Sequence, residues 1–229
     1  MGLNFVDINR NDNGRVFALL AGEAGIGKTT QATTFPRKET FILSVENGLL
    51  SIRGSGYAAE EVKTYERAME ILEDEIGRNK WIKHICIDSL SEIYDLITKE
   101  ANVKFSAKQN FAKHEYIEAQ LMDLIRAAKE LDIDCFFICH TKEEKNGLNL
   151  EQELAFQGKL PEKIKRQFDV IIHYDYFIGD NGKKERVFIT STDISKIAKK
   201  RASPWLGIKI EDYEQPNLYQ LTKKLLGKN

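Results

Sequence analysis

Residues 22–29 decide the fold of this chain, and they read Gly22-Glu23-Ala24-Gly25-Ile26-Gly27-Lys28-Thr29. The stretch satisfies the pattern G-x-x-x-x-G-K-[ST], in which glycines let backbone N–H groups converge on phosphate oxygens. The apolar residues 16–21 before it predict a buried strand. Residues 28–35 after it predict a short helix that Pro36 ends. We therefore expect a phosphate-binding loop between a strand and a helix.

The chemistry of this loop predicts ATP and Mg²⁺ as its ligands. Lys28 is expected to reach the β- and γ-phosphates, and the hydroxyl of Thr29 to coordinate the metal. The residues expected to contact the nucleotide are Gly22, Glu23, Ala24, Gly25, Ile26, Gly27, Lys28, Thr29 and Thr30.

Outward from the loop, buried apolar runs alternate with helical patterns. Strands are predicted at residues 40–45, 84–88 and 135–139, with helices between them at residues 65–76, after residue 89 and at 117–128. Thr64 is a predicted helix N-cap, and Ser89-Leu90-Ser91-Glu92 a predicted capping box. This alternation indicates an α/β fold with a mostly parallel central sheet flanked by helices.

The later part of the chain has a different pattern. Residues 141–160 are polar and contain glycine, so we expect either a functional loop or a mobile one. Residues 170–177 and 186–191 predict a C-terminal antiparallel hairpin, and residues 217–226 a closing helix. We expect an N-terminal segment at residues 1–14 and a single domain over residues 15–229.

Carboxylates follow two of the predicted strands. Asp88 ends the strand at residues 84–88, at the edge where parallel sheets bind ligands, so it is the expected second metal ligand. Ser89, rather than Asp88, is expected to cap the next helix. Glu46 follows the strand at residues 40–45, and it is our candidate for the general base that activates water. The alternative for Glu46 is an ordinary exposed glutamate.

His140 follows the strand at residues 135–139 and is either a sensor of the γ-phosphate or a structural histidine. The next residues resemble a guanine-reading signature, but Glu144 stands where aspartate is required. Ser91 also stands where a GTPase would have glycine, so ATP is the preferred nucleotide. A small-molecule kinase stays open, although the sequence shows no arginine-rich lid.

The composition is that of an ordinary globular protein, with 34 Lys and Arg against 35 Asp and Glu. Residues 159–201 carry eleven Lys or Arg against six Asp or Glu, which indicates either an anion-binding face or a solvated surface. The three cysteines lie in apolar runs and predict buried, reduced thiols. No signal peptide or membrane span is expected, and we place the chain in the cytoplasm.

These features together resemble the RecA-like ATPases, and more closely the small phage-encoded RecA-core ATP-binding proteins of recombination and single-strand annealing. The resemblance covers about residues 15–226. It is carried by the loop at residues 22–29, the strand ending in Glu46, the stretch Ile85–Ser89, and four later motifs. Those motifs are Gly158-Lys-Leu-Pro161, Phe168-Asp169-Val170-Ile171, Ala198-Lys-Lys-Arg201 and Pro216-Asn217-Leu218.

The resemblance implies a homo-oligomer, a ring or a filament, in which a basic residue reaches the neighbour's γ-phosphate. Lys199, Lys200 and Arg201 are the candidates, and of these Lys200 and Arg201 are preferred; the alternative is a solvated charge cluster at a helix end. It also implies single-stranded DNA and single-strand-binding protein as partners. For DNA contact we expect Lys142, Lys145, Lys159 and Phe156, although nearby glutamates repel phosphate. The alternative is an adaptor that binds a replication or repair protein without touching DNA.

Overall fold

The structure is a computed structural model, and it describes residues 14–45, 47–146, 149–179, 182–200 and 208–228 of the 229 in the chain. Its strands are β1 Phe17–Gly22, β2 Thr40–Ser44, β3 Ala58–Glu61, β4 His84–Asp88, β5 Asp134–Asn146, β6 Asn149–Leu154, β7 Val170–Ile178, β8 Lys184–Ile189 and β9 Tyr213–Glu214. Its α-helices are α1 Lys28–Gln31, α2 Tyr65–Glu70, α3 Ile76–Arg78, α4 Leu90–Lys104, α5 Asn110–Glu130, α6 Leu160–Gln167 and α7 Leu218–Leu225. A π-helical segment, Ile71–Glu75, joins α2 to α3.

The strands form a sheet in the order β3-β2-β4-β5-β1-β7-β8-β9, and β6 pairs with the distal part of β5. All neighbours from β3 to β7 are parallel. The pairs β7–β8, β8–β9 and β5–β6 are antiparallel. The predicted α/β fold, with its mostly parallel sheet and its C-terminal antiparallel hairpin, is confirmed.

Two apolar layers cover the faces of the sheet. Side chains alternate along β1, so Phe17 and Leu19 pack with helices α4 and α5 in one cluster. Leu20, on the opposite face, packs with Leu218 and Leu221 of α7. Each fully buried side chain of this size contributes about 1.5–3 kcal/mol. Because helices cover both faces, the central strands are apolar throughout, as the sequence predicted.

Polar side chains cap the N-termini of α2, α4 and α7. The Thr64 side chain accepts a hydrogen bond from the Arg67 N–H at 3.2 Å, and Ser89 Oγ accepts one from the Glu92 N–H at 3.3 Å. At α7, the Asn217 side chain accepts from the Gln220 N–H at 3.0 Å. In the described ranges, no helix combines the length and the apolar character needed to cross a bilayer.

The prediction of a loop over residues 141–160 is wrong. Residues up to Asn146 continue β5, and the chain returns as β6 with Thr141 opposite Leu154 and Lys145 opposite Leu150. The backbone satisfies its own hydrogen bonds in this hairpin, so polar side chains on both strands can face solvent. Leu154 and Phe156 are buried in the main apolar cluster and hold the base of the hairpin against the body.

Strand β3, which pairs with β2 at the edge of the sheet, has no signal in the sequence. Its four residues, Ala58-Ala-Glu-Glu61, lack the apolar run by which the other parallel strands are recognised. A short edge strand with charged side chains is a common means of preventing further strand pairing. Tertiary pairing with β2, rather than local preference, makes these residues a strand.

Candidate nucleotide-binding site

The loop at residues 22–29 connects β1 to α1, as predicted. Gly25 has φ 78° and Gly27 φ 103°, both in the left-handed region that other L-residues enter at a cost of about 1–2 kcal/mol. Alternation of left- and right-handed residues turns successive N–H groups toward one concave side, which is a general anion-binding arrangement. The loop therefore has the backbone that a phosphate site requires.

Gly22 is required for a different reason, which is the close approach of β7. A β-carbon at this position would lie 2.5 Å from the carbonyl oxygen of Tyr174, its register partner on β7. That separation is much shorter than a van der Waals contact, and the oxygen that the β-carbon would meet belongs to the backbone. A glycine here lets the backbone at the start of the loop pass close to the backbone of β7.

Lys28 is buried, and its ammonium group is held inside the loop. Its Nζ donates to the carbonyl oxygens of Gly22, at 2.9 Å, and Glu23, at 2.7 Å. The same Nζ lies 3.3 Å from Nδ1 of His140. A buried ammonium costs free energy unless hydrogen bonds or an anion compensate it. The loop thus presents a positioned cation beside its concave face.

Thr29 and Asp88 meet across the edge of the sheet. The Thr29 hydroxyl donates to Oδ2 of Asp88 at 2.6 Å, and Asp88 is 1% exposed. Ser89 caps α4, so Asp88 is not the helix cap. A hydroxyl and a carboxylate in contact are the hard oxygen donors that Mg²⁺ prefers.

Gly48, which the sequence analysis overlooked, leaves room beside these two oxygens. A β-carbon on Gly48 would lie 3.5 Å from the Thr29 Oγ1 and 3.6 Å from the Asp88 Oδ2. It would occupy space that a hydrated metal ion needs, so the donor pair and the glycine together fit Mg²⁺. In the sequence, the available signal for Gly48 is its place two residues after Glu46, the carboxylate that follows β2.

His140 connects Lys28 to the β5–β6 hairpin. Its backbone N–H donates to Ser91 Oγ at 2.9 Å, and its carbonyl accepts from the Ala155 N–H at 2.9 Å. The ring reaches the Lys28 ammonium as described above. The structure therefore places His140 at the predicted edge, between the phosphate loop and the hairpin.

Two predicted residues, Glu46 and Arg201, lie outside the described residues. For Glu46 the neighbouring register is defined, because Ser44 of β2 pairs with Asp88 of β4. Parallel strands end at one edge, so the chain leaves β2 beside Asp88. The role of Glu46 as general base stays a hypothesis.

The lysines before Arg201 have partners within their own chain. Lys199 Nζ donates to the carbonyls of Phe168, at 2.5 Å, and Lys165, at 3.0 Å. Lys200 Nζ donates to Asp212 at 2.9 Å and to the carbonyl of Ile210 at 3.2 Å. Both lysines therefore fasten neighbouring segments of their own chain in this structure.

The residues expected to contact DNA differ in burial and in their partners. Phe156 is buried, with its ring edge-on to Tyr94 at 5.3 Å, so base stacking on Phe156 is contradicted. Lys142 Nζ donates to the Phe156 carbonyl at 2.7 Å, which fastens the base of the hairpin. Lys145 and Lys159 are exposed and stay candidates.

Arg186 is a second residue that the sequence analysis overlooked. It is exposed on β8, two strands away from β1, and its guanidinium lies against Gly27 of the phosphate loop. No motif marks it, because β8 is far from the loop in the sequence and only the pairing of β7 with β1 and β8 brings it there.

The cysteines are buried free thiols, as predicted. Burial raises the pKa of all three above the ordinary value, to about 12 for Cys139, so these thiols stay protonated at neutral pH. In the ranges that the structure describes, no cluster of three His, Cys, Asp or Glu side chains could hold a metal ion.

Comparisons with known proteins agree with this geometry. A family model described as an AAA domain matches residues 15–202, which begin just before β1 and include the phosphate loop, Asp88 and His140. No curated protein matches the chain. Since the match covers most of the chain, this protein belongs to the AAA domain family of P-loop ATPases.

Proposed function

We propose that this chain binds ATP with Mg²⁺, hydrolyses it to ADP and phosphate, and couples hydrolysis to the handling of single-stranded DNA in phage recombination or annealing. The observation that carries the nucleotide part is the contact between Thr29 and Asp88, which lies beside a loop with a buried, positioned Lys28. The membership of the AAA domain family supports the same conclusion.

Each residue has a distinct role in this proposal. Loop N–H groups and Lys28 bind the phosphates, and Thr29 and Asp88 hold the metal. A bound Mg²⁺ supplies positive charge to the β- and γ-phosphate oxygens. Glu46 orients and deprotonates the attacking water. His140 detects the γ-phosphate through Lys28, 3.3 Å away, and transmits the change to the hairpin through its backbone bond with Ala155.

The DNA part is supported by the resemblance to phage RecA-core proteins and by the outer end of the β7–β8 hairpin. Tyr176 and Phe177 are exposed there, and Lys184 Nζ lies 4.0 Å from the centroid of the Tyr176 ring. Exposed aromatic rings beside lysines suit single-stranded nucleic acid, because bases stack on the rings while phosphates pair with the ammonium groups.

Assembly into a ring or filament, with single-strand-binding protein as a further partner, is proposed from the same resemblance. Because Lys199 and Lys200 bind groups of their own chain, Arg201 is the better candidate for a residue that acts on the neighbour's nucleotide. Mixing Arg201→Ala and Lys28→Ala subunits tests this. Activity restored in the mixture supports action in trans, and additive loss contradicts it.

A second function is supported by the charge pairing of the β5–β6 hairpin. Glu151 pairs with Lys196 at 2.6 Å, and Glu153 pairs with Lys165 at 2.8 Å, so the nearby positive charge is largely neutralised. Gln152 also donates to Glu23 of the phosphate loop at 3.2 Å. A hairpin that neutralises the lysines around it and contacts the phosphate loop suits an adaptor that binds a protein partner in a nucleotide-dependent way.

One assay separates these functions. ATP hydrolysis is measured with Mg²⁺, with and without single-stranded DNA, at two salt concentrations, with Lys28→Ala as the inactive control. Stimulation by DNA that weakens steeply with salt supports the DNA function. Hydrolysis without a DNA response supports the adaptor, and phosphoryl transfer to a metabolite would identify a kinase. Failure of the wild-type chain to bind ATP would overturn the proposal.

The general base has its own test. Glu46→Gln keeps the size and polarity of the side chain but cannot accept a proton, so ATP binding should persist while turnover is lost. The measurement is equilibrium ATP binding alongside steady-state hydrolysis. Unchanged hydrolysis would remove Glu46 from the mechanism.

A further inference from the structure

Arg186 lies against the phosphate loop on the side opposite to the metal ligands. A β-carbon on Gly27 would lie 3.5 Å from Nη1 of Arg186 and 3.9 Å from its Cζ. The same point is 3.3 Å from Oγ1 of Thr30, whose hydroxyl donates to the Gly27 carbonyl at 2.7 Å. Arg186 therefore faces the position where the loop ends and α1 begins.

The surroundings of Arg186 leave its charge available for an anion. Its side chain interacts with the hydroxyl groups of Tyr176 and Tyr174, which orient a guanidinium without neutralising it. Across the described part of the chain, Arg186 forms no ion pair with a carboxylate. Arg67 shows the contrast, since its guanidinium binds Glu60, Glu70 and Glu75.

The strand order indicates which end of a nucleotide Arg186 would meet. On one side of β1 lie β5 and then β4 with Asp88, and on the other side lie β7 and then β8 with Arg186. Thr29 and Asp88 are the residues that would hold Mg²⁺, which would supply positive charge at the β- and γ-phosphate end of the nucleotide. A polyphosphate bound along the loop therefore extends its α-phosphate end away from Asp88 and toward Arg186.

We propose that Arg186 is a nucleotide-binding residue that acts in cis, with its guanidinium donating hydrogen bonds to the α-phosphate end of ATP and ADP. A planar guanidinium offers parallel N–H groups that match phosphate oxygens, which an ammonium group does not. The inference rests on the proposed nucleotide binding. It differs from the role of Arg201, because a residue at the α-phosphate end contributes equally to ATP and ADP, whereas one at the γ-phosphate does not.

Binding measurements on Arg186→Ala test this. With Mg²⁺ present, we expect the affinities for ATP and for ADP both to fall about tenfold, since a hydrogen bond to a charged group contributes roughly this factor. The affinity for inorganic triphosphate, measured by competition, should fall by a similar factor. Arg186→Lys keeps the positive charge but loses the planar set of guanidinium N–H donors. Its affinity for ATP and ADP should lie between those of the wild type and Arg186→Ala.

Controls make the outcomes distinct. Arg126→Ala removes an exposed arginine that pairs with Asp123 on α5, and it should bind both nucleotides as the wild type does. Unchanged affinity in Arg186→Ala, with normal binding by the wild type, would overturn this inference and leave the proposed function intact. A loss confined to ATP would also overturn it, because the contact would then be to the γ-phosphate. Absence of binding by the wild type would overturn both.

Discussion

The parallel part of the sheet and its antiparallel flank contribute different kinds of side chain to the candidate site. β1 and β4 end, and the parallel pairing of β5 with β1 stops, at one edge, where Lys28 lies beside His140 and Thr29 donates to Asp88. The antiparallel strand β8 instead contributes Arg186 from its middle, at a position that its pairing with β7 decides. Parallel strands bring residues together because their carboxyl ends lie at the same edge of the sheet. In an antiparallel pair, the register of pairing decides which residues come together.

The parallel edge and the β5–β6 hairpin differ in how the charges of their side chains are compensated. Asp88 is buried and contacts a hydroxyl, and Lys28 is buried against carbonyl oxygens. In the β5–β6 hairpin Glu151 and Glu153 pair with lysines of the same chain. A buried charge costs free energy unless hydrogen bonds or an opposite charge compensate it. The proposed nucleotide site lies at this parallel edge.

The largest effect should come from Lys28→Ala. It removes the only ammonium group that we place on the phosphates, and we expect ATP affinity to fall on the order of 100-fold, with hydrolysis lost. Isothermal titration and a phosphate-release assay measure the two. The control Lys163→Ala removes an exposed lysine that pairs with Glu118 and should behave as wild type. Equal effects of both variants would contradict the proposed site.

Asp88→Asn should affect catalysis more than binding. The amide keeps the shape of the side chain but loses the charge that holds Mg²⁺, so kcat should fall on the order of 100-fold while ATP still binds. Hydrolysis measured over a range of Mg²⁺ concentrations should show a weakened metal dependence. Asp95→Asn, at an exposed position on α4, is the control. An unaltered metal dependence in Asp88→Asn would exclude Asp88 as a ligand.

Gly22→Ala tests the close approach between β1 and the flanking strand β7. The added methyl group would meet a backbone carbonyl at 2.5 Å, so we expect a loss of about 1–3 kcal/mol in the free energy of unfolding. Urea denaturation measures it. Gly77→Ala is the matched control, because Gly77 lies in α3 with nothing within 4 Å of an added β-carbon. A helical alanine should stabilise the protein by about 0.5–1 kcal/mol there.

The smallest effect concerns pH. Burial lowers the pKa of His173 below its ordinary value of 6.5, while Asp175 and Glu23 partly oppose this. The unfolded chain therefore binds a proton more readily, so stability is full above pH 6.5 and falls as the pH drops toward the folded value. Unfolding midpoints measured from neutral to mildly acidic pH report this loss.

Two variants separate the His173 contribution from general acid denaturation. His173→Asn should reduce the loss, because it removes the group whose proton affinity differs between the folded and the unfolded chain. Asp175→Asn should steepen the loss, since the carboxylate that favours the charged imidazole is removed. Identical pH profiles in all three proteins would show that His173 does not contribute.

Most of the parallel sheet could be predicted from the sequence, and so could the position of Asp88 and His140. Strands β1, β2 and β4 are short, apolar runs, and a buried parallel strand has few alternatives with that composition. Glycine spacing in the loop was equally informative, because only glycine takes positive φ at Gly25 and Gly27 without strain. These signals are local, so the sequence alone contains them.

The sequence by itself determined the phosphate loop, the order of most strands and helices, and the edge at which the ligand residues converge. Only the tertiary structure decided that β5 and β6 pair, that Phe156 is buried, and that Gly48 and Arg186 lie beside the loop. The physical reason is the range of the forces involved. Local backbone preferences and apolar periodicity act within a few residues, whereas register, burial and charge pairing depend on chain segments that meet only after folding.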